Sequence, residues 1–503
     1  MLGAVCLLAA AAASAGAELT GVDGLVKVYD AILDARFEQA DAELTRACPP
    51  APREACDVLA ATRTWWRIQL DPESRALDAA FTAEVERAIA STEAWAAREP
   101  QNAEAHFYTG GAYAVRVQWR VLRHETLAAA KDGKRIKQAL DRAIALDPGL
   151  DDAYFGVGLY QYYADVAPAA AKVFRFLLML PGGNKTEGLA RMRRAREHGR
   201  LLQGEADYQL QLIDLWYERR ADLAVDRLES LRDRHPGNPI FAAQLADVQD
   251  RYLHDLTASL ATWRALLADA RAGRVNAPDL AETQARLGSA RMLEALCESD
   301  AARESVRAVV DARPARPFGA LATAYLALGE IEDRLGHRDA AVDAYRRAVA
   351  ESDVAAAGDV RSRALERMRR APDPVRAEAY RLSLEGWRAL EAGRTAEAEP
   401  RLARAVALDP RDPVARYRYA RVLQTAHRDT AALAEYEAAL AGAQNAPAPI
   451  AAAAFLDAAR LEERLALRDR AQAHYDAAST WFGGGAETRA AAARALRRLH
   501  AVK

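Results

Sequence analysis

The chain has 503 residues, too many for one hydrophobic core, so several domains or one extended repeat array are expected. Lys and Arg (69) nearly cancel Asp and Glu (71), and a net charge of −2 leaves no bulk electrostatic footprint for nucleic acid or an anionic membrane. Much of the 51% hydrophobic content is alanine, aromatics are only 7%, and leucine, arginine and glutamate abound, so the composition points to an all-α protein.

The N-terminus, "MLGAVCLLAAAAASAGAELTG", is apolar to Ala17, and Ala15-Gly16-Ala17 has the small-x-small form of a secretory cleavage site. Residues 1–17 are therefore expected to be a signal peptide, making the protein exported, periplasmic or extracellular. The other reading is a buried alanine-rich first helix. No later segment has 18 uncharged apolar residues, so no transmembrane segment is expected in the mature chain. Cys48 and Cys56 flank "PPAPREA", a proline-rich turn between two helical patterns. An oxidising compartment would let them pair and staple the first helical hairpin; otherwise they are two free thiols. Cys297 is then single, and expected to be buried.

The next stretches are aromatic: "TWWRIQLDPESRALD" (64–78), "GGAYAVRVQWRVLRHETLAAAKDGKRIKQAL" (110–140) and "YFGVGLYQYYADVAPAAAKVFRFLLML" (154–180). "GGNKT" (182–186) suggests a phosphate loop, but Met179 stands where G-x-x-x-x-G-K-[ST] needs its first glycine, and the context is helical. The stretch reads as a helix–turn–helix joint instead. Pro181, Gly182 and Gly183 end one helix, and Asn184 opens the next in a capping box with Glu187. Lys172 and Arg175 interrupt the preceding apolar run, which favours packing inside the protein over a membrane-surface role.

An internal repeat runs through the proline junctions. "EPQNAEAHFYTG" (99–110), "DPGLDDAYFGVG" (147–158), "HPGNPIFAAQLA" (235–246) and "DPRDPVARYRYA" (409–420) align without gaps, each proline being followed ten residues later by glycine or alanine. Proline ends one helix, and the small residue marks a close crossing of two others. In 379–412, Gly386, Ala398, Leu402, Ala405 and Pro410 occupy small, small, large, small and proline positions. The next copy follows 34 residues on with Ala420, Ala432, Tyr436 and Ala439; others read Gly329, Ala341, Tyr345, Ala348 and Ala459, Ala471, Tyr475, Ala478. This register resembles the tetratricopeptide repeat, a 34-residue helix–turn–helix unit. The overall look is similar to exported bacterial tetratricopeptide proteins of unassigned function.

The resemblance implies an α-α superhelix, a solenoid of stacked hairpins with a concave face. Copies cover roughly 99–158, 204–270 and 318–482. Two copies depart from the pattern: Pro400 lies inside a second helix, predicting a kink, and Ile136 stands where alanine is usual. In the N-terminal part, first and second helices lie about 14 and 18 residues further apart than the register requires, predicting lengthened hairpins or inserts. Breaks at "ARPARPFG" (312–319) and "RRAPDPVR" (369–376) help divide the chain into 18–235, 236–371 and 372–503.

Chemistry is sparse. The nine histidines are scattered, with no H-E-x-x-H, and no G-x-S-x-G occurs. No catalytic, cofactor-binding or metal-binding residue is assigned. Basic residues cluster at 131–137 and 191–196; Arg116, Arg120, Lys134 and Lys137 could converge near Trp119 in a lengthened hairpin as an anion site. The resemblance further implies groove positions three before and one after the small residue: Ser383 and Trp387, Tyr417 and Arg421, Leu456 and Arg460. Arg421 and Arg460 could then hold a carboxylate from a bound peptide. The functional expectation is an exported, non-catalytic scaffold binding other proteins or peptides in a concave groove. The alternative is an envelope-associated module taking a lipid, glycan or anion in the N-terminal part.

Overall fold

The computed structural model describes residues 18–167, 182–352 and 358–501. Among them every regular element is helical and no strand occurs. The signal-peptide reading of 1–17 and the apolar run up to Pro181 lie outside the described residues. Where the sequence suggests three parts, the chain groups into two compact units, one ending at Arg220 and the other beginning at Ala221.

The first unit contains α1 (Val22–Leu33), α2 (Phe37–Ala47), α3 (Arg53–Leu70), α4 (Asp78–Arg98), α5 (Ala103–Leu122), α6 (Thr126–Leu146), α7 (Ala153–Val166), α8 (Lys185–His198) and α9 (Gln203–Trp216). Cys48 and Cys56 are joined by a disulfide at the turn between α2 and α3. The extra length in 110–140 is taken up within α5 and α6, of 20 and 21 residues, which pack as one long hairpin. A Cβ at Gly110 would lie 2.6 Å from Leu140, thirty residues on, and one at Gly158 would lie 2.9 Å from Met192, thirty-four on. The small position thus meets its large partner across the lengthened hairpin. Ile136 fits without loosening it, being buried beside Leu140.

The opening of α8 follows the "GGNKT" reading in part. The Asn184 side chain accepts from the Glu187 amide at 3.1 Å, capping the helix. Glu187, however, pairs with Arg191 rather than reaching back to close the capping box. The Gly183 backbone runs so close to α7 that a Cβ would meet the Gln161 carbonyl at 2.2 Å.

The first helices of these hairpins then meet one another. Tyr29 on α1 donates to Glu205 on α9 (3.1 Å), and Trp66 on α3 lies 5.0 Å, ring to ring, from Tyr208 on α9. Gln118 on α5 accepts from Trp65 (3.1 Å) and Gln209 (3.2 Å). Helix α9 is consequently buried on all sides although it carries Glu205, Asp207, Gln209, Gln211 and Asp214. The segment that leads into α1 closes the unit: Arg200 pairs with Glu18 and Asp23, and Thr20 donates twice to Glu104.

The second unit contains α10 (Ala221–Arg234), α11 (Pro239–Arg251), α12 (Leu256–Arg271), α13 (Pro278–Ala295), α14 (Ser299–Ala312), α15 (Ala320–Arg334), α16 (Arg338–Glu351), α17 (Gly358–Arg369), α18 (Pro374–Glu391), α19 (Thr395–Leu408), α20 (Pro413–Thr425), α21 (Asp429–Ala441), α22 (Ala448–Arg464), α23 (Arg468–Thr480) and α24 (Ala486–Ala501). Here two hairpins keep the repeat register undistorted. A Cβ at Gly329 would lie 2.4 Å from Tyr345, and one at Gly386 2.6 Å from Leu402, both sixteen residues on. Each second-helix tyrosine also finds an acceptor twelve residues back: Tyr345 on Asp333 (2.9 Å), Tyr436 on Gln424 (2.6 Å), Tyr475 on Glu463 (2.8 Å). In the copy where leucine replaces tyrosine at 402, residue 390 is leucine too. A buried hydroxyl demands a partner, and its removal removes the demand.

Pro400 does not break its helix: α19 runs unbroken from Thr395 to Leu408, with Ala398, Leu402 and Ala405 fully buried. The proline and Ala396, whose carbonyl loses its partner, are both exposed, where the carbonyl can be satisfied by solvent.

This unit also winds onto itself. Tyr380 bonds Ser299 at 2.7 Å, Arg388 pairs with Asp300, and Leu384 joins the apolar core built by α11 to α15. Phe482, after α23, lies 5.4 Å from the His254 ring just before α12. In both units, first helices thus pack against other first helices of the same unit that lie far away in the chain.

Candidate functional site

The groove positions fall in three successive first helices, α18, α20 and α22, and the structure separates them into buried and open ones. Ser383 is 1% exposed, and its hydroxyl accepts from Arg418 at 3.2 Å. Leu456 is buried in a core with Ala459 and Tyr475. Neither is groove surface, because the turn-on-turn packing of the unit covers Ser383 and the last helices cover Leu456. Trp387 is half-buried, with its ring 6.1 Å from that of Tyr417 and flanked by the Arg418 and Arg421 guanidiniums at 5.7 and 5.9 Å.

Arg421 and Arg460 do converge on a carboxylate, and it belongs to Asp457. Arg421 Nη1 reaches Asp457 Oδ2 at 2.8 Å, the Tyr417 hydroxyl donates to the same oxygen at 3.1 Å, and Arg460 Nη1 reaches Oδ1 at 3.1 Å. Burial and the Asp457 charge push the Tyr417 hydroxyl well above its ordinary range. The sequence reading missed Asp457, whose only signal is that it follows a groove position directly.

Beyond Arg460 a cavity of about 360 Å³ opens between α22, α23 and α24, lined by Arg460, Glu463, Tyr475, Arg494 and Arg498. Glu463 accepts from Arg498 (2.7 and 2.9 Å) and Tyr475. Burial favours its neutral form, but these donors outweigh burial and hold the carboxyl below the usual carboxylate range. Tyr475 is pushed up to about 12, by burial first and then by Glu463. Arg494 is exposed and makes no ion pair among the described residues.

A second cavity, of about 380 Å³, is lined by Cys297, Arg334, Tyr380, Asp412 and Asn445 among others. Arg334 lies 4.1 Å from the Tyr380 ring and donates to the Cys297 sulfur (3.2 Å) and to Glu294. Cys297 is free and buried, and burial pushes its thiol up.

The proposed anion site in the first unit is occupied by acids. Arg116 forks onto Asp132 (2.8 and 2.8 Å) and reaches Glu86 at 2.6 Å, while Arg120 shares Asp132, which is 2% exposed. Trp119 donates to Asp78 (3.1 Å), itself clamped by Arg123, and Lys137 pairs with Asp141. Lys134 is half-buried and makes no ion pair among the described residues. Arg116 and Arg120 meet on a built-in counter-charge, Asp132, which offsets their positive field. Among the described residues, no group of three His, Cys, Asp or Glu side chains is placed to hold a metal ion, and no helix is long and apolar enough to cross a membrane.

Residues 389–456 match the tetratricopeptide repeat family model. No curated protein matches the sequence significantly. Similar solved structures include a tetratricopeptide repeat protein from Parabacteroides merdae, 14% identical, covering 59% of this chain and 98% of that one at a TM-score of 0.27. The TPR2AB-domain:pHSP90 complex of yeast Sti1 is 14% identical over 59% of this chain and 97% of that one, at 0.22. The human IFIT1 dimer with PPP-AAAA is 13% identical over 84% and 94%, at 0.34.

Proposed function

We propose that this chain, whose residues 389–456 are tetratricopeptide repeats, is an exported, non-catalytic scaffold that binds a protein partner on the C-terminal repeats of its second unit. The observation that carries this reading is the cationic cleft continuing the repeat register: Arg460, Arg494 and Arg498 around an opening of about 360 Å³, floored by Tyr475. Arginine and tyrosine are the usual anchors of protein interfaces, and rigid helices present them at little entropic cost. Three arginines against the one carboxylate of Glu463 leave the lining net positive. The apolar N-terminus and the bonded Cys48–Cys56 pair support export, since disulfides persist in oxidising compartments. The acids around Arg116 and Arg120 leave the anion version of the alternative without support.

The test is capture of partners from envelope fractions on immobilised full-length chain, followed by the double substitution Arg460→Glu, Arg494→Glu. Specific protein capture lost in the double variant is the expected result. Capture that survives the charge reversal, or recovery of lipid or glycan in place of protein, overturns the reading.

A further inference from the structure

The second cavity, of about 380 Å³, lies where the second unit winds onto itself, between the ends of α13 and α15, helix α18, and the turns that open α20 and α22. Arg334, the cation of its lining, is already committed. Its Nη1 donates to the Glu294 carbonyl (2.8 Å) and carboxylate (3.1 Å), its Nη2 to Cys297 Sγ (3.2 Å), and the guanidinium lies 4.1 Å from the Tyr380 ring. Arg418, whose charge also acts on Asp412, is directed at the Cys297 carbonyl (2.9 Å) and at Glu298 (3.7 Å). The acids of the lining are not used up in the same way. Glu294 gives Oε2 to Arg334, while its Oε1 is buried and has no hydrogen-bond partner among the described residues. Asp412 caps α20 by accepting from the Val414 amide at 2.9 Å and makes no ion pair among the described residues. Two carboxylates facing one guanidinium leave one negative charge of the lining unanswered. A buried charged acceptor without a donor is costly, so a ligand that brings a positively charged donor is favoured over an anion.

We propose that this cavity binds a small organic cation, an aliphatic amine whose ammonium group pairs with Glu294 while Asp412 supplies the second negative wall. Val414 and Pro447 add apolar surface against which a methylene chain can lie. The site is distinct from the C-terminal cleft between α22, α23 and α24 and goes beyond the scaffold reading, since its occupant is a small molecule rather than a protein. Because the residues come from α13, α15 and the turn before α20, an amine bound here ties together the same elements that close the unit.

The experiment is an isothermal titration of full-length chain with 1,4-diaminobutane, 1,4-butanediol serving as the neutral control of equal length. Saturable binding of the amine and none of the diol is expected. Glu294→Gln keeps the side-chain shape and an acceptor for Arg334, and Asp412→Asn keeps an acceptor for the Val414 amide, so each removes charge with little change of structure. Each should weaken amine binding by about tenfold, the scale of one hydrogen bond to a charged group. Cys297 locates the ligand, because it is a free thiol in the lining of this cavity. Bound amine should slow its reaction with methyl methanethiosulfonate several-fold, read by mass on the peptide that carries it. Absence of saturable binding, equal binding of the diol, or amine binding that both variants retain and that leaves Cys297 unprotected overturns the proposal.

Discussion

The two units solve one problem with opposite charges. In each, a helix end is buried against another hairpin and its unpaired backbone groups need partners. In the first unit the buried end is an N-terminus. Asp152, 3% exposed, accepts from the amides of Arg200, Leu201 and Leu202 at 2.9, 3.1 and 2.8 Å, just ahead of α9. In the second unit it is a C-terminus. Arg418, 2% exposed, donates at 2.9 Å to the carbonyl of Cys297, just beyond α13. Carboxylate at the positive end and guanidinium at the negative end is the pairing that the helix dipole favours. Sequence distance is no guide to either contact, so a buried charge at a helix end is a sign of closure that has to be looked for in space.

The largest effect should come from breaking the second closure. Arg418→Ala leaves the Cys297 carbonyl and Ser383 without a donor, and is expected to destabilise the second unit by about 3–5 kcal/mol. Hydrogen exchange resolved by peptide would show faster exchange in α13, α18 and α20, with the first unit unchanged. Asp152→Ala should cost the first unit about 3 kcal/mol, since three amides lose a charged acceptor, and the loss would appear in α9. Equal deprotection of both units by either variant would show that the two closures are not independent. Replacing Cys48 and Cys56 by serine removes a staple present only in the first unit, with an expected cost of about 2–3 kcal/mol for so short a loop, read by urea unfolding.

A smaller effect separates two repeats of the second unit by chemistry. Tyr475→Phe should cost about 1 kcal/mol by removing the bond to Glu463, whereas Leu402, which occupies the same repeat position, has no hydroxyl to lose. The smallest is a change of slope with pH. Burial holds Glu205 and Asp152 above the ordinary carboxylate range in the folded first unit. The folded state then binds more protons than the unfolded one, so stability falls as pH rises from the ordinary carboxylate value through the raised ones. Glu205→Gln should flatten that decline in the first unit and leave the second unchanged.

Repeat arithmetic carried much of this fold. The small-to-large spacing of sixteen residues in the second unit, and its lengthening to thirty and thirty-four in the first, are contacts within one hairpin, where sequence distance and spatial distance run together. The arginines of the candidate sites could be picked out for the same reason, by register on a helix face. Their counter-charges could not. Asp132 sits across a hairpin from Arg116, and Asp457 two helices on from the one carrying Arg421, so only the packing of those helices decides that the positive charges are already answered.

By itself the sequence determined the helices, their pairing into hairpins and the residues that make each pair pack closely, because those depend on periodicity and side-chain size over a few dozen residues. Only the tertiary structure decided that each unit closes on itself. Arg200 meets Glu18 across 182 residues and Arg418 meets Cys297 across 121. Such contacts follow from small rotations accumulated from hairpin to hairpin, which no local pattern records. That accumulated turn also buried Ser383 and much of the expected concave wall, and left the cationic cleft at the C-terminal end open.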